Sequence, residues 1–142
     1  MAKVSFNEGW AYGHLGEDWR KQVTLPHDAM LAEPRREGNP SGKNGCWYDG
    51  ADYVYEKKFT APEDWRDKNI IFEFEGVYRN SKVYINGKLA GGRAYGYSDF
   101  YVEADAFLNY GEENEIKVEA FNKDQPNSRW YSGAGIYRPV WL

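Results

Sequence analysis

Hydrophobic and polar positions alternate along several separated stretches of the chain. In the run from Ile70 to Gly92, Ile70, Phe72 and Phe74 fall on one side, and Ile71, Glu73 and Glu75 on the other. That period of two marks a half-buried β-strand. Lys82 to Ile85 repeats it, with Val83 and Ile85 opposite Lys82 and Tyr84, and then meets Asn86-Gly87. A type I′ turn needs positive φ at both central residues, which Asn and Gly accept at least cost, so a tight hairpin is predicted with Lys88, Leu89 and Ala90 on the return. Tyr53 to Phe59 alternates in the same way, and Glu115 to Phe121 sets Ile116, Val118 and Ala120 against Glu115, Lys117 and Glu119.

The intervening segments read less regularly. Phe6 to Asp18 is expected to be irregular or edge structure anchored by Trp10 and Trp19. Gln22 to Leu25 reads as a short strand stopped by Pro26, which has no ladder donor. Ala29 to Gly50 is a long loop broken by Pro34, Gly38, Pro40, Gly42, Gly45 and Gly50. A loop of that length in a compact domain is usually functional, disordered or packed on a neighbour. Pro62 to Trp65 predicts a turn with an aromatic anchor, Phe100 and Val102 a strand, and Ala104 to Leu108 one helical turn ended by Gly111. A last strand is expected over Ile136 to Leu142. Short strands at this spacing, with no long amphipathic helix, predict an all-β sandwich rather than an α/β fold.

Composition narrows the classes of function. The 142 residues suit one domain, residues 1–142, able to bury about 68–70% of its unfolded surface. Cys46 stands alone, so no intrachain disulfide forms, and no Cys/His spacing resembles a zinc site. The net charge of −4 argues against a nucleic-acid partner. No apolar run is long enough to span a membrane. The first ten residues, MAKVSFNEGW, lack the apolar core of a signal peptide, so a cytoplasmic protein, or one whose signal has been removed, is the expectation. Val140, Trp141 and Leu142 end the sequence in an apolar strand, which would be a sticky edge at a bare terminus. A domain cut from a longer protein is therefore expected.

Aromatic residues are abundant: six Trp, twelve Tyr and seven Phe. Part of this set fills a β-core, while Tyr and Trp in loops suit sugar rings and protein interfaces alike. Two loops hold the candidate chemistry. Asp49 and Asp52 lie among Trp47, Tyr48 and Tyr53. A carboxylate pair is what glycoside hydrolysis uses, but Asp in a Gly-rich loop is more often a turn residue bonding its own backbone. In the second loop, Asp124 to Arg138, Asn127 and Arg129 offer polar groups, and Trp130 or Tyr131 offers a stacking face. The competing reading is a packed loop bent at Gly133 and Gly135. No Ser/His/Asp order, P-loop or dinucleotide glycine pattern is present.

SRWYSGAGIYRPVWL, FEGVYRNSKVYINGKLAGG, YGYSDFYVE and TLPHD occur in an order that resembles the N-terminal sugar-binding domain of glycoside hydrolase family 2, over nearly the whole chain. RWYSGAGIYR looks most like the β-galactosidase branch. The resemblance implies a jelly-roll, galactose-binding-like β-sandwich, followed in the parent enzyme by an immunoglobulin-like domain and a barrel. That barrel carries both catalytic glutamates of a retaining mechanism, so the resemblance places no catalytic residue, metal or cofactor here. It implies that the domain packs on the remaining domains of a homo-oligomeric glycosidase. Asp49, Asp52, Asn127, Arg129, Trp130 and Tyr131 would help to wall a β-galactoside pocket. Three positions depart from the pattern: Arg129 stands where many members have a sugar-contacting Asp, Ala29 where Trp is usual, and Glu56 where Arg is usual. A free-standing carbohydrate-binding module, or the same domain from a β-glucuronidase or β-mannosidase, are the alternatives.

Overall fold

The computed structural model describes residues 4–27, 52–77, 80–93, 99–121, 136 and 140–142. Among them the chain forms nine strands: β1 (Trp10–His14), β2 (Lys21–Val23), β3 (Asp52–Thr60), β4 (Ile71–Phe74), β5 (Ser81–Ile85), β6 (Lys88–Arg93), β7 (Phe100–Glu103), β8 (Glu113–Phe121) and β9 (Val140–Trp141). Pairing is antiparallel throughout these strands, in a six-stranded sheet ordered β2-β1-β3-β8-β5-β6 and a three-stranded sheet ordered β7-β4-β9. The expected sandwich is what the chain builds.

Alternation sorts the side chains into layers. Val83, Ile85, Ile116, Val118, Ala120, Tyr53 and Tyr55 of the larger sheet are buried against Phe72, Phe74, Phe100, Val102 and Val140 of the smaller one. Phe6, Phe59 and Phe72 meet edge-on, with ring centroids 5.0 to 5.8 Å apart, the geometry that aromatic quadrupoles favour. On the outer face of the larger sheet the register sets Glu56 beside Lys117, Lys58 beside Glu115 and Lys82 beside Glu119. Such opposite-charge neighbours suit a solvated surface.

The run from Ile70 to Gly92 divides between the two layers. Its first strand, β4, is central in the smaller sheet, whereas β5 and β6 form the hairpin at one edge of the larger sheet. Asn86 and Gly87 take φ of 51° and 81° as the turn requires. The Asn86 side chain also reaches beyond the turn. Its Nδ2 donates to Phe107 O and Asn114 Oδ1, and its Oδ1 accepts from Glu115 N. Asn114, buried on β8, accepts a second bond from Asn109 N and donates to Asn109 O and Glu112 O. These two side chains tie the turn to the 104–113 connection at one end of the sandwich.

Three expectations are corrected. Trp10 to His14 is not irregular or edge structure but β1, held between β2 and β3. The alternation is disguised because its outward positions are Ala11 and Gly13, not charged residues. Gly13 is small because the 15–20 loop folds over it: a Cβ there would sit 2.3 Å from Trp19 O. Trp10 is a buried anchor as expected, but Trp19 is 41% exposed. Ala104 to Leu108 is a hydrogen-bonded turn, Phe107 N to Ala104 O, rather than a helical one. Finally, Val140–Leu142 is not an exposed edge. Beyond its pairing with β4, Val4 N donates to Leu142 O, Leu142 N to Val4 O and Phe6 N to Val140 O. The predicted loop from Ala29 to Gly50 lies outside the described residues.

Candidate functional site

Strand register gathers the loop attachments at one end of the sandwich. Asp52, which opens β3, is the Cα partner of Phe121, which closes β8. Ser81 at the start of β5 pairs with Ala120 and with Arg93 at the end of β6. In the smaller sheet Phe74 pairs with Phe100 and Val140. The opposite end is closed by Ala61–Lys68, Asn86-Gly87 and Ala104–Glu112. The first end, the rim, is therefore where the long candidate loops join the fold.

Of the six candidate residues, Asp49, Asn127, Arg129, Trp130 and Tyr131 lie outside the described residues. Asp52 is described: it is partly buried, and its carbonyl accepts from Leu15 N at 2.9 Å. The structure thus brings together the attachment points of the two loops, at Asp52 and Phe121, across one backbone pairing.

Beside these attachments lies a cluster that sequence reading missed. Tyr12 and Tyr55 are cross-strand partners, as are His14 and Tyr53, so all four side chains project from one face of β1 and β3. Tyr12 and Tyr55 stack at 5.7 Å. His27 comes within 4.4 Å of the Tyr12 ring centroid and shares a 2.7 Å hydrogen bond with the Tyr55 hydroxyl. Its backbone N–H donates to Ile136 O, which joins the TLPHD stretch to the GAGIYR stretch. His14 and His27 are far apart in sequence, and they are linked through Tyr12, which lies on the same strand as His14 and meets the His27 ring. The available signal was the spacing of Trp10, Tyr12 and His14 at period two.

At the edge of this cluster His14 Nδ1 donates to Glu17 Oε2 at 2.9 Å, and Trp19 Nε1 donates to Glu17 Oε1 at 3.2 Å. The His14 bond, opposed by desolvation and aided more weakly by the Trp19 N–H, holds the Glu17 carboxyl below its ordinary value of 4.5. A depressed carboxyl contributes stability that is present above its unfolded value and is lost as the pH falls through the folded one. An NMR titration of the Glu17 side-chain carboxyl carbon is expected to give a midpoint below 4.5. A midpoint at or above that value would show the contact to be absent in solution. Among the described residues no group of three His, Cys, Asp or Glu side chains is placed to hold a metal ion. Tyr12, Tyr53 and Tyr55 are buried in the core, so the groups of this cluster that face solvent are the Trp19 ring and the Glu17 carboxylate.

Comparison with known proteins places the chain in a family and supports the fold. A family model described as glycosyl hydrolase 2 galactose-binding domain-like matches residues 17–132. A β-galactosidase of Bacteroides ovatus is 41% identical, the alignment covering 99% of this chain and 18% of that protein. A β-glucuronidase of Bacteroides fragilis is 30% identical, over 98% of this chain and 20% of that protein. A solved β-glycosidase from Bacteroides vulgatus superposes with a TM-score of 0.90 at 31% identity, covering 99% of this chain and 20% of its own. The sandwich is therefore of the galactose-binding-like, jelly-roll kind. The chain spans about a fifth of the length of these relatives.

Proposed function

This chain belongs to the glycosyl hydrolase 2 galactose-binding domain-like family, and from that premise we propose that it serves as the non-catalytic N-terminal domain of a larger β-galactosidase-like hydrolase. In this reading it packs on the catalytic domain, and the loops that join its rim at Asp52 and Phe121 help to wall the sugar pocket. The observation that carries the reading is coverage: the whole chain matches, yet it accounts for only 18% of the β-galactosidase and 20% of the β-glucuronidase. Most of each relative, and on this reading the catalytic acid and nucleophile, lies in other domains.

The two relatives differ in the sugar their names specify, so a paired assay decides between them. The 142-residue chain is expected to hydrolyse neither an aryl β-galactoside nor an aryl β-glucuronide. The protein expressed from the whole open reading frame is expected to turn over the galactoside. Preference of the whole protein for the glucuronide would reassign the substrate. Turnover by the short chain that survives purification and disappears on replacing Asp49 or Asp52 would overturn the non-catalytic role.

A further inference from the structure

Trp19 is a large aromatic side chain that the fold leaves 41% exposed yet holds in place. Its indole N–H is tied to Glu17, and its ring makes edge contacts with Tyr12 at 5.6 Å and His14 at 5.1 Å. The loop beneath is braced by Arg20, whose guanidinium donates to Glu17 O and Trp19 O at 2.8 Å each and to Glu56 at 3.2 Å. An aromatic ring fixed before a ligand arrives loses little entropy on binding. The neighbouring Glu17 carboxylate uses one oxygen for His14 and one for Trp19. A carboxylate has about four acceptor sites, so capacity for ligand hydroxyls remains. The cluster borders the rim: His14 pairs with Tyr53, and Leu15 N donates to Asp52 O.

We propose that Trp19, Glu17 and His14 form a stacking subsite for a neutral pyranose ring, one that discriminates against uronic acids. The apolar face of the sugar lies on the indole, and its hydroxyls donate to Glu17. Because Glu17 is an exposed carboxylate, ionised at neutral pH, a uronate carboxylate placed on the same ring meets a like charge, which a neutral ring does not. The inference rests on the glycosidase reading only for its choice of sugar.

The matched probes are methyl β-galactopyranoside and methyl β-galacturonopyranoside, which differ only at C6. Each is titrated into the ¹⁵N-labelled 142-residue chain, whose six Trp report through separate indole N–H signals. The Trp19 signal is assigned by its loss in Trp19→Phe. It is expected to shift saturably with the galactoside at a Kd of roughly millimolar size. The galacturonoside is expected to bind about three- to tenfold more weakly, a screened like-charge effect. Glu17→Gln is expected to remove that difference, and Trp19→Ala to abolish the response while the remaining spectrum stays dispersed. An unmoved Trp19 signal, equal affinity for the two sugars in the unaltered chain, or binding that survives Trp19→Ala would each overturn the proposal. None of those outcomes bears on the hydrolysis assay, which tests the domain's place in the enzyme separately.

Discussion

Asn114→Ala is expected to lower the free energy of unfolding by about 4 kcal/mol, read as a fall in the urea midpoint with an unchanged slope. Asn114 is 2% exposed, and its amide takes part in four hydrogen bonds, with Asn86, Asn109 twice and Glu112. Alanine would orphan the Asn109 N–H, two backbone carbonyls and one donor of Asn86. Each unsatisfied buried group costs about 1–3 kcal/mol, with water relieving part of the sum at this partly buried end. Asn114→Asp is a sharper test. It keeps the accepting oxygen but puts a second acceptor where Nδ2 now faces two carbonyls, so it should be no milder than alanine at neutral pH. A loss below about 1 kcal/mol for either variant would show that the network does not lock the turn.

Trp10→Ala should cost a comparable amount, about 3–5 kcal/mol, by the ordinary range for a fully buried Trp. Trp10 is fully buried, meets Phe6 edge-on at 5.9 Å and donates from Nε1 to Phe6 O at 2.7 Å. Trp10→Phe separates the two contributions. It retains much of the ring volume but strands the Phe6 carbonyl, and should cost about 1–2 kcal/mol. For a domain whose stability is about 5–15 kcal/mol, either alanine variant leaves a thin margin, so thermal unfolding should show both losses. If Trp10→Ala unfolded no more easily than Trp10→Phe, the packing role assigned to the indole would be wrong.

How much of the fold is legible in the sequence depends on what each face touches. β4, β5 and β8 can be read because their inward residues, Ser81 and Asn114 apart, are aliphatic or aromatic and their outward residues mostly charged or polar, and Asn86-Gly87 marks the turn. β1 escapes because its outward positions, Ala11 and Gly13, carry no charge, and at Gly13 the folded-back loop leaves no room for a side chain. The asparagine network escapes for a different reason. Asn86 reads as a turn residue, and nothing local tells that its amide reaches Asn114, 28 residues away. The candidate site divides in the same way. Its loops stand out by composition, but the pairing of Tyr12 with Tyr55 and His14 with Tyr53 comes from the register of strands separated by a long connection. Such a register is set by the core as a whole.

The reciprocal bonds between Val4 and Leu142 have a mechanical consequence. They join the two extremities of the described chain as antiparallel neighbours, so a force pulling those extremities apart acts along the hydrogen bonds and breaks them one after another, as a zipper opens. Strands loaded along their length would instead share the force among all their bonds at once. The segment from Val4 to Phe6 is therefore the expected first part to peel away under tension. It is also the expected last to dock during folding, because its partners lie at the far end of the sequence and closing so long a loop is slow.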